Sequence, residues 1–303
     1  DYRGVTVHAI GENTQGLATL QMLNILERFD MRGAGFQSAL SIHLQAEAKR
    51  LAYEDRARYY ADPEFAKVPF EWLGSKTYAA ERAKLIRPDR LMTDVRPGQA
   101  PSHGDTTYFS CSDKDGMMVS MIQSNFRGMG SGLVADGLGF MFQDRGQLFS
   151  LRDGHPNVYA PGKRPFQTII PGFATRQGKP WLAFGVMGGD MQPQGQVQIL
   201  ANRIDYDLDV QAAGDSPRWH HGGSSEAMGE DGAEEKASPT GVLNLETGVP
   251  AETQAKLAAM GWKIAEAPGG YGRYECVEWL ERAGGRVYAA ASEMRADGCA
   301  LAY

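Results

Sequence analysis

Three cysteines, Cys111, Cys276 and Cys299, could in principle form disulfides or bind zinc, but they are odd in number and show no CxxC or Cys/His ligand spacing. Neither a disulfide framework nor a zinc site is expected of them. Of the six histidines only His220 and His221 are adjacent, and sequence neighbours share no face of a helix or strand for chelation. That pair reads as a loop or strand end. Thr106-Thr107 opens a run of strand-forming residues, and by itself a threonine pair there is an ordinary strand start. Gly188-Gly189 by itself is a turn ahead of a helix.

The elements that must position these groups change in kind along the chain. Residues 14–29 place Leu17, Leu20, Met22 or Leu23, and Ile25 or Leu26 at helical spacing after Asn13 or Thr14 as N-cap. A second helical pattern over 35–60 stops at Ala61-Asp62-Pro63, and its Arg and Glu residues read as a solvated face. A shorter helix over 77–85 leads into the polar, proline-bearing loop 87–105. From Thr106 onward strands dominate. Residues 106–112 and 118–124 flank Asp115-Gly116, a strong hairpin signal. Further hairpins are expected around Asp136-Gly137, between 168–170 and 181–184, and between 274–280 and 285–291. Helices are expected over 194–203 and 250–260, and a mobile surface loop over 222–238, rich in Gly, Ser and acids. Many antiparallel strands with helices bundled at particular points give an α+β layered sheet architecture.

Several motifs in register resemble the gamma-glutamyltranspeptidase family. Asp105-Thr106-Thr107-Tyr108-Phe109-Ser110, followed by Asp113-Lys114-Asp115-Gly116, is similar to the junction at which precursors of that family cut themselves. The likeness continues through Gly130-Ser131-Gly132, residues 161–165, Met187-Gly188-Gly189, Ile204-Asp205-Tyr206 and residues 213–221 to Tyr303. Upstream, Thr14-Gln15-Gly16 and residues 21–27 resemble the last part of the family's large subunit. The resemblance implies the αββα sandwich of N-terminal-nucleophile hydrolases. It divides the chain into 1–105, the helical C-terminal part of the large subunit, and 106–303, the small catalytic subunit beginning at the processing threonine. It implies Thr106 as nucleophile, Ser124 as the hydroxyl beside it, and Gly188 and Gly189 as the oxyanion pair. Threonine suits the place because a threonine freed at an N-terminus carries its own base, an α-amine of pKa about 7.7–8.0. Glycines suit the oxyanion role because backbone N–H groups approach an anion most closely without a Cβ.

The departures from the family pattern bear on substrate. Where gamma-glutamyltranspeptidases hold the substrate ammonium with a pattern like Asn-Gln-Met-Asp-Asp, this chain has Asp144-Arg145-Gly146-Gln147-Leu148. The ammonium-binding acid falls at Leu148 and a neutral amide at Arg145; the paired carboxylate-binding serines fall at Gln167 and Thr168, and an Asn near the nucleophile at Phe126. Arg145, Gln167 and Thr168 are thus the expected substrate-binding residues, and Arg145 alternatively an ion-pair partner of a loop acid. The arrangement resembles the branch containing oxamate amidohydrolase and related acylases, and implies a small carboxylate-bearing amide as substrate. Gamma-glutamyl transfer or glutathione hydrolysis is the alternative within the family. A reading of another class is a non-catalytic fragment or an uncleaved precursor, because relatives carry several hundred residues before the threonine that here follows 105. The resemblance makes that N-terminal large-subunit portion of the same precursor a partner, with exposed apolar faces where it is missing.

Bulk properties narrow the other partners. A hydrophobic fraction of 42% and charged fraction of 22% allow a real core. A net charge of −6 without long basic runs gives no footprint for nucleic acid. No apolar run reaches membrane-span length, and Asp1-Tyr2-Arg3-Gly4 shows neither an initiating Met nor signal-peptide regions; further residues are expected upstream. No motif implies a metal or organic cofactor. Compartment stays open, as does homo-oligomerisation.

Overall fold

The computed structural model describes residues 1–11, 13–93, 95, 105–224, 240–266 and 269–302, with the side chain of Asp105 excepted. The strands are β1 (Val5–His8), β2 (Asp105–Ser112), β3 (Met118–Phe126), β4 (Gly172–Arg176), β5 (Lys179–Met187), β6 (Trp219–Gly222), β7 (Val242–Leu245), β8 (Ile264–Ala265), β9 (Arg273–Arg282) and β10 (Gly285–Ser292). The helices are α1 (Gly16–Leu26), α2 (Met31–Ala34), α3 (Ala39–Tyr59), α4 (Phe70–Leu73), α5 (Lys76–Ala83), α6 (Met191–Ile204), α7 (Val210–Asp215) and α8 (Ala251–Ala259).

Among the described residues the main sheet runs β1-β4-β5-β9-β10, antiparallel throughout. The hairpin β2–β3 lies on one face of it as a second sheet layer. The approach is close because Gly185 of β5 has no side chain: a Cβ there would lie 2.3 Å from the Tyr108 ring of β2. On the other face α6 rests on β5, with Gly195 against Val186, and α1, α3 and α5 follow. Val186, Phe184, Val197, Leu200, Met22 and Leu51 are among the residues of one continuous core between these layers. The outer face of the hairpin instead displays Phe109, Val119 and Met121 to solvent. Among the described residues no helix is long and apolar enough to cross a membrane.

The predicted stop at Pro63 holds, since α3 ends at Tyr59, and the hairpins at Asp115-Gly116 and at β9–β10 form in the expected places. Two expectations fail, the solvated face of the second predicted helix and the strand at 168–170. The charged face of α3 is not solvated: Glu47, Lys49, Arg50 and Arg56 are 0–2% exposed. The helix runs through the interior between α1 and α8, and its charges find internal partners. Arg50 pairs with Glu47 at 2.8 Å, and Lys49 donates to the His221 carbonyl at 2.9 Å and to Ser224 Oγ at 2.8 Å. Residues 168–170 are not a strand; β4 starts at Gly172, and the hairpin turns at Gln177-Gly178. Around Asp136-Gly137 the expected hairpin is short: Val134 pairs antiparallel with Met141, the Ala135 N–H donates to the Phe140 carbonyl at 2.9 Å, and the Phe142 N–H donates to the Leu133 carbonyl at 2.9 Å. Residues 225–239 of the expected loop, and 94 and 96–104 of the stretch before Thr106, lie outside the described residues. His220 and His221 sit in β6, buried against α3 and α6.

Candidate active site

Thr106 stands at the head of β2, and the alternation of the strand turns it inward with Tyr108 while Thr107 and Phe109 face out. The ladder pairs Asp105 with Phe126 and Thr107 with Gln123, so one residue of β2 faces two of β3, Ser124 and Asn125. This bulge re-aims the side chains of the longer strand. It brings Ser124 beside Thr106, whose Oγ1 donates to Ser124 Oγ at 3.2 Å. Ser124 Oγ also accepts the Phe126 N–H at 2.9 Å. Phe126 closes the bulge with φ +78°, a conformation that costs a non-glycine residue on the order of 1–3 kcal/mol. Its ring is buried beneath the guanidinium of Arg145, 5.1 Å from the centroid.

The Gly188-Gly189 pair follows β5 and precedes α6. Gly188 has φ +119° and Gly189 φ +59°, and the Gly188 carbonyl accepts the Met191 N–H at 3.0 Å, closing a turn that only glycine enters without strain. Among the described residues neither glycine's N–H donates a hydrogen bond. Both stand at the N-terminal end of α6, where unpaired N–H groups and the helix dipole favour negative charge.

Arg145 begins a single 3₁₀ turn, Arg145–Leu148, and is 1% exposed. Its Nε and Nη2 donate to Thr168 Oγ1 at 3.2 and 3.1 Å, and Nη1 donates to the Ser124 carbonyl at 3.1 Å. The neighbouring Asp144 turns away, accepting from the Arg127 N–H and Gln147 Nε2. Among the described residues no carboxylate forms an ion pair with Arg145. Burial lowers its pKa to about 10 against the opposing charge of Asp144, so the group remains a cation at neutral pH. Leu148, at the far end of the turn, is buried in the apolar core.

Gln167 is half-buried, and its backbone pairs with the segment before α1: its N–H donates to the Asn13 carbonyl at 2.8 Å, and its carbonyl accepts the Gln15 N–H at 3.2 Å. The same segment is anchored three residues earlier. Arg164 Nη2 and Nε clasp the buried Asp62 carboxylate at 2.6 and 3.0 Å, holding its pKa down at about 2. A depressed carboxylate contributes stability above the unfolded value of about 3.9 and loses it as pH falls toward the folded value. Asp62→Asn should therefore melt below the wild type at pH 5, with the gap closing between pH 4 and 2; a gap independent of pH across that window would refute the anchor.

Sequence reasoning missed the side chains that tie these parts together. Gln15 is fully buried, and its Nε2 donates to the Thr168 carbonyl at 2.6 Å and to the Gly189 carbonyl at 2.8 Å. Arg56 Nη1 donates to Gln15 Oε1 at 2.9 Å, and Tyr53 donates its hydroxyl to the Asp190 carbonyl. Burial works to raise the Asp190 carboxyl, but His220, Lys49 and Arg56 outweigh it and hold it below the usual range. In the sequence Gln15 stands out only as part of the Thr14-Gln15-Gly16 stretch that resembles the family, with no sign of these partners.

The family model for gamma-glutamyltranspeptidase matches residues 1–303. The chain is 35% identical over 280 residues to a glutathione hydrolase proenzyme of Escherichia coli (strain K12), covering 88% of this chain and 46% of that protein. It is 33% identical over 214 residues to an oxamate amidohydrolase proenzyme of Klebsiella pneumoniae, covering 71% and 40% respectively. The crystal structure of cephalosporin acylase from Bacillus halodurans superposes with a TM-score of 0.83 at 37% identity, over 100% of this chain and 52% of that one. The chain spans about half the length of the curated relatives it matches.

Proposed function

This chain belongs to the gamma-glutamyltranspeptidase family, and on that premise we propose that it carries the nucleophile of a self-processing amide hydrolase acting on small carboxylate-bearing amides. Its stacked sheets with helices against them are the N-terminal-nucleophile hydrolase fold. The reaction reading rests on the Thr106–Ser124 hydroxyl pair at the bulge. In the precursor Thr106 Oγ1 attacks the Asp105 carbonyl, the C–N bond breaks, and water opens the resulting ester, leaving an α-amine on Thr106. In turnover that amine takes the hydroxyl proton while Oγ1 attacks the substrate carbonyl. The Gly188 and Gly189 N–H groups receive the oxyanion, the amine returns the proton to the leaving nitrogen, and water hydrolyses the acyl ester. Ser124 holds the hydroxyl in line.

The substrate class follows from Arg145. A buried guanidinium with hydroxyl and carbonyl partners but, among the described residues, no carboxylate leaves a cationic site that an anionic acyl group would neutralise. A second reading, glutathione hydrolysis, is favoured by the identity to the Escherichia coli proenzyme, but the buried Leu148 offers an ammonium no charge. Glutaryl and γ-glutamyl p-nitroanilides differ only in that ammonium. The glutaryl compound should be cleaved with kcat/KM at least about 10-fold higher, a difference of about 1.4 kcal/mol. Preference for the γ-glutamyl compound would replace the proposed substrate class with the second reading.

A further inference from the structure

We infer that Gln15 is a positioning residue that sets the distance between the oxyanion turn and the nucleophile, an inference resting on the reaction proposed above. Gln15 occupies the N-cap of α1, where a side chain ordinarily accepts from the first turn of the helix, yet it makes no capping bond. Its amide is spent elsewhere. One Nε2 proton goes to the Gly189 carbonyl and the other to the Thr168 carbonyl, while Oε1 faces the Arg56 guanidinium. Arg56 also fixes which way round the amide lies, since a flipped amide would set donors against donors. Arg56 in turn stacks 3.9 Å over the Tyr53 ring, and Tyr53 holds the next carbonyl of the turn, that of Asp190.

The consequence is a single bonded path across the site. It runs from Gly189 through Gln15 to Thr168, from the Thr168 hydroxyl to Arg145, and from Arg145 to the Ser124 carbonyl, beside the hydroxyl that Thr106 meets. The oxyanion turn and the nucleophile hairpin belong to different sheet layers, and this path links them through the side chain of a residue before Thr106. Oxyanion donors act only within a few tenths of an ångström of their working place, and a shift of about 1 Å costs on the order of 10²-fold in rate. Gln15 donates to the Gly189 carbonyl of the turn and to the backbone carbonyl, rather than the side chain, of Thr168, so its loss should fall mainly on kcat and much less on KM.

The test uses the full chain with Gln15→Glu, which keeps an acceptor for Arg56 and removes both donors, and Gln15→Met, which removes all three bonds. Gln196→Met is the structural control: that buried amide donates to the Ile170 carbonyl at 2.6 Å and accepts from Thr19 at 3.2 Å, without touching the turn. Both Gln15 variants should lose about 10²-fold in kcat on the glutaryl anilide with KM within about threefold of wild type. Gln196→Met should lower Tm while keeping wild-type kcat. Folded Gln15→Glu with unchanged kcat, or an equal kcat loss in Gln196→Met, would overturn the role assigned to Gln15. Thr106→Ala measured alongside separates the two levels: activity in that variant overturns the reaction itself, whereas a dead Thr106→Ala beside a fully active Gln15→Glu overturns only the positioning.

Discussion

Thr106→Ala should leave the chain uncut before residue 106 and lower kcat on a carboxylate-bearing amide by about 10⁴-fold or more, the usual scale for removing a covalent nucleophile. Thr106→Ser should retain both activities at reduced rates, because it keeps the hydroxyl that meets Ser124 at 3.2 Å. The pH profile carries the second part of this expectation. In the proposed reaction the base is the freed α-amine, which must be neutral to accept a proton, so kcat/KM should rise with pH and level off above about 8. The buried His221 is held well below its ordinary range by burial and by Lys49, and is engaged with Lys49 and the Thr240 carbonyl, so it supplies no competing inflection there. Turnover by Thr106→Ala within about 10-fold of wild type would contradict the assignment of the nucleophile.

The second large effect is expected at Arg145. Replacing it with Met removes a buried cation that no described carboxylate neutralises. A charged partner lost from a desolvated site costs about 3–5 kcal/mol, or roughly 10²- to 4 × 10³-fold in kcat/KM for the glutaryl anilide. Arg145 also holds the Ser124 carbonyl, so part of any loss is positional. A neutral acyl anilide measures that part: its kcat/KM should fall by no more than about 10-fold. Equal losses on the charged and the neutral substrate would reduce Arg145 to a brace for the hairpin, and the substrate class would lose its support.

Local signals were legible and long-range ones were not. Asp115-Gly116 specified the turn of the β2–β3 hairpin, and Pro63 specified the end of α3, because turn and helix-stop chemistry acts within a few residues. The motifs around Thr106, Gly188 and Arg145 were recognisable as motifs. What they did not reveal was the bulge at Ser124-Asn125, since a one-residue mismatch in pairing depends on both strands and leaves no compositional trace. The burial of Arg56 and Lys49 was hidden for a related reason. A charged helix reads as solvated until its partners are known, and here they come from Gln15 and His221, 41 and 172 residues away in the chain. Gln15 was visible only as part of a family-like stretch before α1, and its side chain serves a turn 174 residues downstream.

Intact-mass analysis of the full chain, freshly purified and after ageing, beside Thr106→Ala, tests the central claim most directly. The wild type should resolve into two pieces divided between Asp105 and Thr106, with turnover rising as the cut piece accumulates, while Thr106→Ala stays whole and inactive. Turnover by a wild-type chain that remains uncut, or a cut at the same bond in Thr106→Ala, would contradict an N-terminal threonine nucleophile.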